Sequence, residues 1–249
     1  MQLDIALAKN IGGRDEQQDA VSIYTSADGA QTLVVLADGM GGHSGGALAS
    51  KMVLTMARKL FQMLNPVTDP YRFLTELCEM THEEINKLGK TVKSAPRTTG
   101  VYLLIDHQKA YWTHIGDSRL YYIKQGVLVS RSRDHTVLQL LVDMGKVDEK
   151  DMGNHPDQNR LLASLGGDQK PEIEIQAVDL EQDDGFILCS DGFWEVMTSQ
   201  EMIASLQNNN LTTAVDAVVE QAAERGGDSG DNIAVAYVRI SEVGPTDVA

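Results

Sequence analysis

Five aspartates in this chain stand where apolar sequence begins or ends. Asp38 closes the run Leu33 to Ala37 and is followed by Gly39 and the glycine-rich stretch "MGGHSGG". Asp191 follows "FILCS" and again precedes a glycine. Asp19 stands just before "AVSIYT", Asp117 lies between "YWTHIG" and "SRLYYI", and Asp231 enters "NIAVAYV". One aspartate–glycine pair after a strand is ordinary turn chemistry. Five such carboxylates gather at one end of a sheet if their strands are neighbours. Gathered carboxylates repel one another unless a cation stands among them. Oxygen donors, with no cysteine and few histidines beside them, select the hard ions Mg²⁺ or Mn²⁺. Glycine beside a ligand lets backbone approach the ion. The pattern points to a carboxylate-bound divalent metal centre, with a place for two ions, suited to hydrolysing phosphate esters.

The elements that must position these groups follow from periodicity. Residues 2–10, 20–25 and "QTLVVLA" read as strands, the last two joined by a hairpin at Asp28–Gly29. Residues 46–64 carry Val53, Met56, Ala57, Leu60 and Leu64 on one helical face, and a second helix is expected over about 71–88. "TTGVYLLID", "KAYWTHIGD", "RLYYIKQG" and "GVLVSRS" return to strand patterns. A mostly polar region, 134–170, holds a short helix at "TVLQLLVDMG". Strands follow at "EIEIQAVDL" and "DGFILCSDG", helices at "SQEMIASLQ" and "LTTAVDAVVEQAAERG", and a last strand at "NIAVAYVRI". Strands and helices come in runs, not in strict alternation. That favours an α+β fold: two central, mostly antiparallel sheets stacked face to face, flanked by helices as a four-layer α/β/β/α sandwich.

Composition narrows the function. A net charge of −15 argues against nucleic-acid binding and against an anionic membrane surface. Bound divalent cations can still invert the field locally, so a phosphate-handling site is compatible. Two cysteines, Cys78 and Cys189, make no Cys-x-x-Cys pair and no disulfide framework, so a reducing, cytoplasmic setting is expected. Both read as core residues, as do the methionines of 52–63. There is no signal-peptide pattern and no apolar run of roughly 18 residues.

The motifs "RDEQQDA", "VVLADGMGGHSGG", "TTGVYLLI", "HIGDSRLYYI", "SRDHT", "LLASLGG", "LCSDGFWEVM" and "GDNIAVAYV" occur in the order found in type 2C metal-dependent Ser/Thr protein phosphatases. The chain resembles that family from about Leu7 to Val238, in the stand-alone bacterial form. The resemblance implies a single catalytic domain over 1–240, a flap over about 144–165 and a frayed tail at 241–249. It implies Mn²⁺ or Mg²⁺ as cofactor, two ions in the core site and a third, weaker one. Asp38 is similar to the aspartate bridging two ions, with the Gly39 carbonyl in the same shell. Asp191 and Asp231 match carboxylates on the inner ion, Asp19 an acid bound through water, and Asp117 the aspartate sharing a third ion with Asp191. Arg14 matches the arginine that grips the substrate phosphate, and a guanidinium fork fits phosphate oxygens better than an ammonium. His43 matches the proposed general acid. Asn159 and Arg160 lie where the flap nears the site, and His135 reads as structural. The implied substrate is a phosphorylated protein, a Ser/Thr kinase or its target, and the implied state is a monomer.

Three departures from the family pattern stand out: Gln17 before the Gln-Asp pair, Ala47 where an acid is usual, and Arg97 where glycine usually opens the Thr-Thr strand. None removes a proposed ligand. The alternatives are a metal-binding regulatory protein on the same fold, a phosphatase of small phosphoesters, and a Ca²⁺-binding β-sandwich.

Overall fold

The computed structural model describes residues 2–40, 45–92, 94–148, 152 and 160–242. The chain begins with β1 (Gln2–Asn10), β2 (Asp19–Thr25) and β3 (Gln31–Met40), then two long helices, α1 (Gly45–Met63) and α2 (Pro70–Val92). Next come β4 (Arg97–Thr98), β5 (Gly100–Asp106), β6 (Lys109–Ile115), β7 (Arg119–Lys124) and β8 (Val127–Arg131). Then follow α3 (Val137–Asp143), β9 (Gln176–Asp179), β10 (Gly185–Cys189), α4 (Asp191–Trp194), α5 (Ser199–Leu206), α6 (Leu211–Gly226) and β11 (Ile233–Glu242).

The strands form two sheets, β1-β11-β10-β7-β8 and β2-β3-β5-β6-β9, with β4 added to β3. Every strand pairing is antiparallel. The alternation of β3 explains the layering, because successive side chains leave opposite faces of a strand. Leu33, Val35 and Ala37 pack with Val53, Leu60, Leu74 and Ile85 of α1 and α2. Val34 and Leu36 face the other way, into a core shared with Phe186, Leu188 and Ala236 of the second sheet. The outer face of that sheet packs Ile187, Val235 and Tyr237 against Leu206, Val215 and Val219 of α5 and α6. The result is the expected α/β/β/α sandwich. Cys78 and Cys189 are buried in its outer cores.

Local chemistry sets the ends of the elements. Thr198 and Glu201 close a capping box at the start of α5. Thr136 and Asn210 cap α3 and α6 with their side-chain oxygens. Two expectations differ from the structure. "EIEIQAVDL" pairs only over β9, while Ile173 and Ile175 leave the ladder and pack on the α1/α2 core. The one-turn helix α4 stands where the sequence pattern showed only the end of a strand. Four residues are too few to display a helical period.

Candidate metal centre

The register of the β2–β3 hairpin places Asp19 directly opposite Asp38. The Asp38 amide donates to Thr99 Oγ1 at 2.9 Å, and its carbonyl accepts from Thr98 Oγ1 at 2.7 Å and from the Thr99 amide at 2.8 Å. The backbone at Asp38 is thus clamped between β3 and the break separating β4 from β5. Gly39 abuts the first turn of α1 backbone to backbone: a Cβ there would lie 2.1 Å from the Gly46 carbonyl oxygen. Only glycine permits that approach, which brings the start of α1 to the end of β3.

The second sheet supplies the other acids. Ser190 stands at the N-cap position of α4, but its hydroxyl does not cap the helix: it donates to Asp19 Oδ2 at 2.6 Å and accepts from the Ala234 amide at 2.9 Å. This one side chain ties the two sheets together at the acidic end. Asp191 begins α4, with its Oδ1 accepting from the Gly192 amide at 2.7 Å. Asp231 precedes β11, and its Oδ2 accepts from Arg14 Nη2 at 2.7 Å. Asn232 accepts from the Gln18 amide and donates to the Ile11 carbonyl, so the loop bearing Arg14 and the loop bearing Asp231 are held together. Asp117 is buried in the β6–β7 turn, where its carbonyl accepts from Trp194 Nε1 at 2.9 Å.

The five acids act on one another. Burial, followed by the charges of Asp19, Asp191, Asp117 and Asp231, holds Asp38 well above the usual carboxylate range. Asp19 is pushed up to about 7, mainly by burial and against the Ser190 hydrogen bond, with Asp191 and Asp231 adding to the rise. Asp191 is pushed up to about 6, by burial and then by Asp231. Asp117 is raised by burial, then by Asp191 and Asp134. Among the described residues no three His, Cys, Asp or Glu side chains close into a ready-made ion cage. What unites these carboxylates is mutual electrostatics. That donor chemistry, hard oxygens raised by one another's charge, fits a divalent cation with part of its shell left to water.

Arg14 sits at the rim, about half exposed, as does its partner Asp231. It borders a cavity of about 270 Å³ with Asp191, Glu195, Arg225, Ser229 and Asp231 on its walls. His43 and Asn159, both candidates from the sequence, lie outside the described residues. Gln17, one of the departures, spans the Asn10 carbonyl at 2.9 Å and the Asp19 amide at 3.1 Å.

Sequence reasoning did not find Glu195. Burial, then the charges of Asp191 and Asp231, push it up to about 8. Its signal was its position four residues after Asp191, one helical turn on. It also did not find the clamp beneath Asp117. Arg119 donates to both Asp134 oxygens, at 2.8 and 2.6 Å, and lies 3.4 Å from the ring centroid of Trp194.

The sequence model of the family described as protein phosphatase 2C matches residues 8–230. The chain belongs to the protein phosphatase 2C family. The serine/threonine phosphatase stp of Listeria monocytogenes serotype 4b is 29% identical over 232 residues, covering 90% of each chain. A solved serine/threonine phosphatase from S. agalactiae superposes with a TM-score of 0.84 at 27% identity, over 96% of this chain and 100% of that one. The catalytic domain of the serine threonine protein phosphatase PstP, solved with 2 manganese ions, superposes with a TM-score of 0.82 at 25% identity, over 96% and 99%. Membership of the phosphatase family accords with the layered fold. Among the described residues no helix is long and apolar enough to cross a membrane.

Proposed function

We infer that this 2C-family chain is a protein serine/threonine phosphatase that hydrolyses phosphoserine and phosphothreonine with the help of divalent metal. The observation that carries the metal reading is Asp38, raised by burial and by the charge of four other aspartates. Such a group is either protonated or beside a cation. When bound, Mn²⁺ or Mg²⁺ activates water and neutralises charge developing on the phosphoryl group. In this reading Asp38, the Gly39 carbonyl, Asp191 and Asp231 would hold the ions of the core site and Asp19 would contribute through water. Asp117, with Asp191, would hold a further, weaker ion.

Arg14 grips the phosphate. Its pair with Asp231 is half exposed, and such pairs are worth no more than about 1 kcal/mol. Arg14 therefore exchanges a carboxylate for phosphate oxygens at little cost. Ser190 and Thr99 hold the backbone and carboxylate of the two facing aspartates in place. His43 donates the proton to the departing side-chain oxygen, and Asn159 contacts the substrate from the flap. Residues 1–240 act as one catalytic domain with the flap over about 144–165. The substrate is a Ser/Thr kinase or that kinase's target, and the enzyme works as a monomer.

The test is hydrolysis of a phosphothreonine peptide with Mn²⁺ and with EDTA, beside Asp38→Ala and Asp191→Ala. Metal-dependent release of phosphate, lost in both variants, is expected. Activity that survives EDTA, or survives either substitution, would overturn the metal reading. For the partner, loss of the gene should raise phosphothreonine on a kinase, and unchanged phosphorylation would remove that assignment.

A further inference from the structure

The third departure, Arg97, opens a different question. It lies on β4 directly opposite Met40 of β3, two residues beyond Asp38. With strand residues spaced by about 3.3 Å and strands by about 5 Å, its backbone lies roughly 8 Å from that of Asp38. Its guanidinium lies over Gly167. A Cβ on Gly167 would stand 3.0 Å from Arg97 Nε and 3.2 Å from Cζ, and Gly167 itself is at φ +91. Any other residue there would be strained and would push the guanidinium away.

That glycine platform is locked from beneath by α2. Asn86 accepts from the Gly167 amide at 2.8 Å and donates to its carbonyl at 2.9 Å. His82 Nδ1 accepts from the Gly166 amide at 3.1 Å. The backbone that seats Arg97 is therefore fixed by three hydrogen bonds.

The cation is also unspent. Most described arginines hold a carboxylate, from Arg14 on Asp231 to Arg239 on Asp4. Among the described residues Arg97 has no ion-pair or hydrogen-bond partner for its guanidinium, and Lys90 of α2 has none for its ammonium. Both line one open groove of about 770 Å³, whose one acid among the described residues, Asp168, forms no ion pair with either. In a chain of net charge −15, two free cations on one groove mark a place for an anion that comes from outside.

We propose that Arg97, with Lys90, is a specificity-determining subsite that binds an oxyanion on the protein substrate two or three residues from the phosphoryl group being removed. This rests on the phosphatase reading above. Two to three extended residues span roughly 7–10 Å, comparable with the backbone separation of Arg97 and Asp38 that the β3–β4 register sets. The recognised group is a glutamate or aspartate side chain or a second phosphorylated residue. An arginine fork suits both and favours the phosphate.

The experiment compares phosphothreonine peptides that carry, two and three positions before or after the phosphothreonine, alanine, glutamate or phosphoserine. Hydrolysis of p-nitrophenyl phosphate tests the phosphatase reading separately, because it is too small to reach the groove. Fluorescence anisotropy with matching phosphonate peptides, which cannot turn over, reads affinity whether or not the enzyme is active. The glutamate and phosphoserine peptides should bind roughly threefold to tenfold more tightly than the alanine peptide in the unmodified protein. Arg97→Gln should abolish that ratio through KM, with p-nitrophenyl phosphate turnover unchanged, and Arg97→Lys should retain part of it. A preference for glutamate alone or phosphoserine alone identifies which group is read. Equal affinity for all peptides, or a preference undiminished in Arg97→Gln, overturns the proposal.

Discussion

Removal of the Asp134 carboxylate should destabilise the protein by about 3–5 kcal/mol, although Asp134 takes no direct part in the acidic centre. The side chain of Arg119 is 8% exposed and that of Asp134 is 1% exposed. Arg119 spends two donors on Asp134 and stacks on Trp194, and Arg131 adds a third contact to Asp134 at 3.2 Å. Asp134→Ala leaves a largely buried guanidinium without its carboxylate partner. For a chain of this size 1 kcal/mol moves Tm by about 2–4 °C, so the loss is roughly 6–20 °C by thermal unfolding. Asp134→Asn should fall almost as far, because one amide presents NH₂ where an acceptor is needed. Replacing both partners, Arg119→Met with Asp134→Leu, removes the unpaired charge and should recover at least half of the loss. Trp194 donates to the Asp117 carbonyl, so the single variants should also lose metal-supported activity at temperatures where they remain folded. A drop of less than about 1 kcal/mol in Asp134→Ala, or a double variant as unstable as the single one, would refute the idea that the pair is a paid-up buried ion pair.

Other outcomes follow from the same contacts. Asp19 and Asp191 are held at about 7 and about 6, above the unfolded value of 3.8. The folded, metal-free state therefore binds more protons than the unfolded one across that window, and its stability should fall as pH rises from about 4 to 7. Tm in EDTA should decline over this range while Mn²⁺ removes the decline; a flat EDTA profile would contradict it. Ser190→Ala strips a hydrogen bond from Asp19 and orphans the buried Ala234 amide, which should cost about 1–3 kcal/mol in urea unfolding. Gly39→Ala drives a methyl group into the Gly46 carbonyl and should cost about 1–3 kcal/mol as α1 is pushed from β3; an unchanged Tm would show that α1 yields freely.

The sandwich was legible in the sequence because its strands are long apolar or alternating runs and its two large helices carry broad stripes. Asp38, Asp117 and Asp231 were legible for the same reason, since each borders such a run. What escaped was short or non-local. α4 has four residues and no period to read, so nothing in the sequence pattern marked Glu195. Arg119 and Asp134 are fifteen residues apart and meet only because Ser132, bonded to Leu120, carries the chain back beside β7. The alternation of Ile173 and Ile175 reported burial correctly, yet alternation measures which face is covered and says nothing of a partner strand.

Register is where local and non-local information meet. Asp19 and Asp38 face each other because every pair in the β2–β3 hairpin is counted back from the turn between Thr25 and Thr32. That turn is written in the sequence as Asp28–Gly29. Asp28 accepts from the Ser26 hydroxyl at 2.6 Å and the Ala30 amide at 3.0 Å, and Gly29 takes φ +73. A slip of one residue there would turn one strand's side chains to the opposite face, and the two carboxylates, about 20 Å away along the strands, would no longer share a site. Burial is the largest cause of the raised pKa values of both Asp19 and Asp38, and the hairpin register adds to it by bringing the charge of Asp19 to bear on Asp38. A carboxylate pair held by a distant turn can be kept at close quarters despite its repulsion, because the cost is borne by the whole ladder of the hairpin.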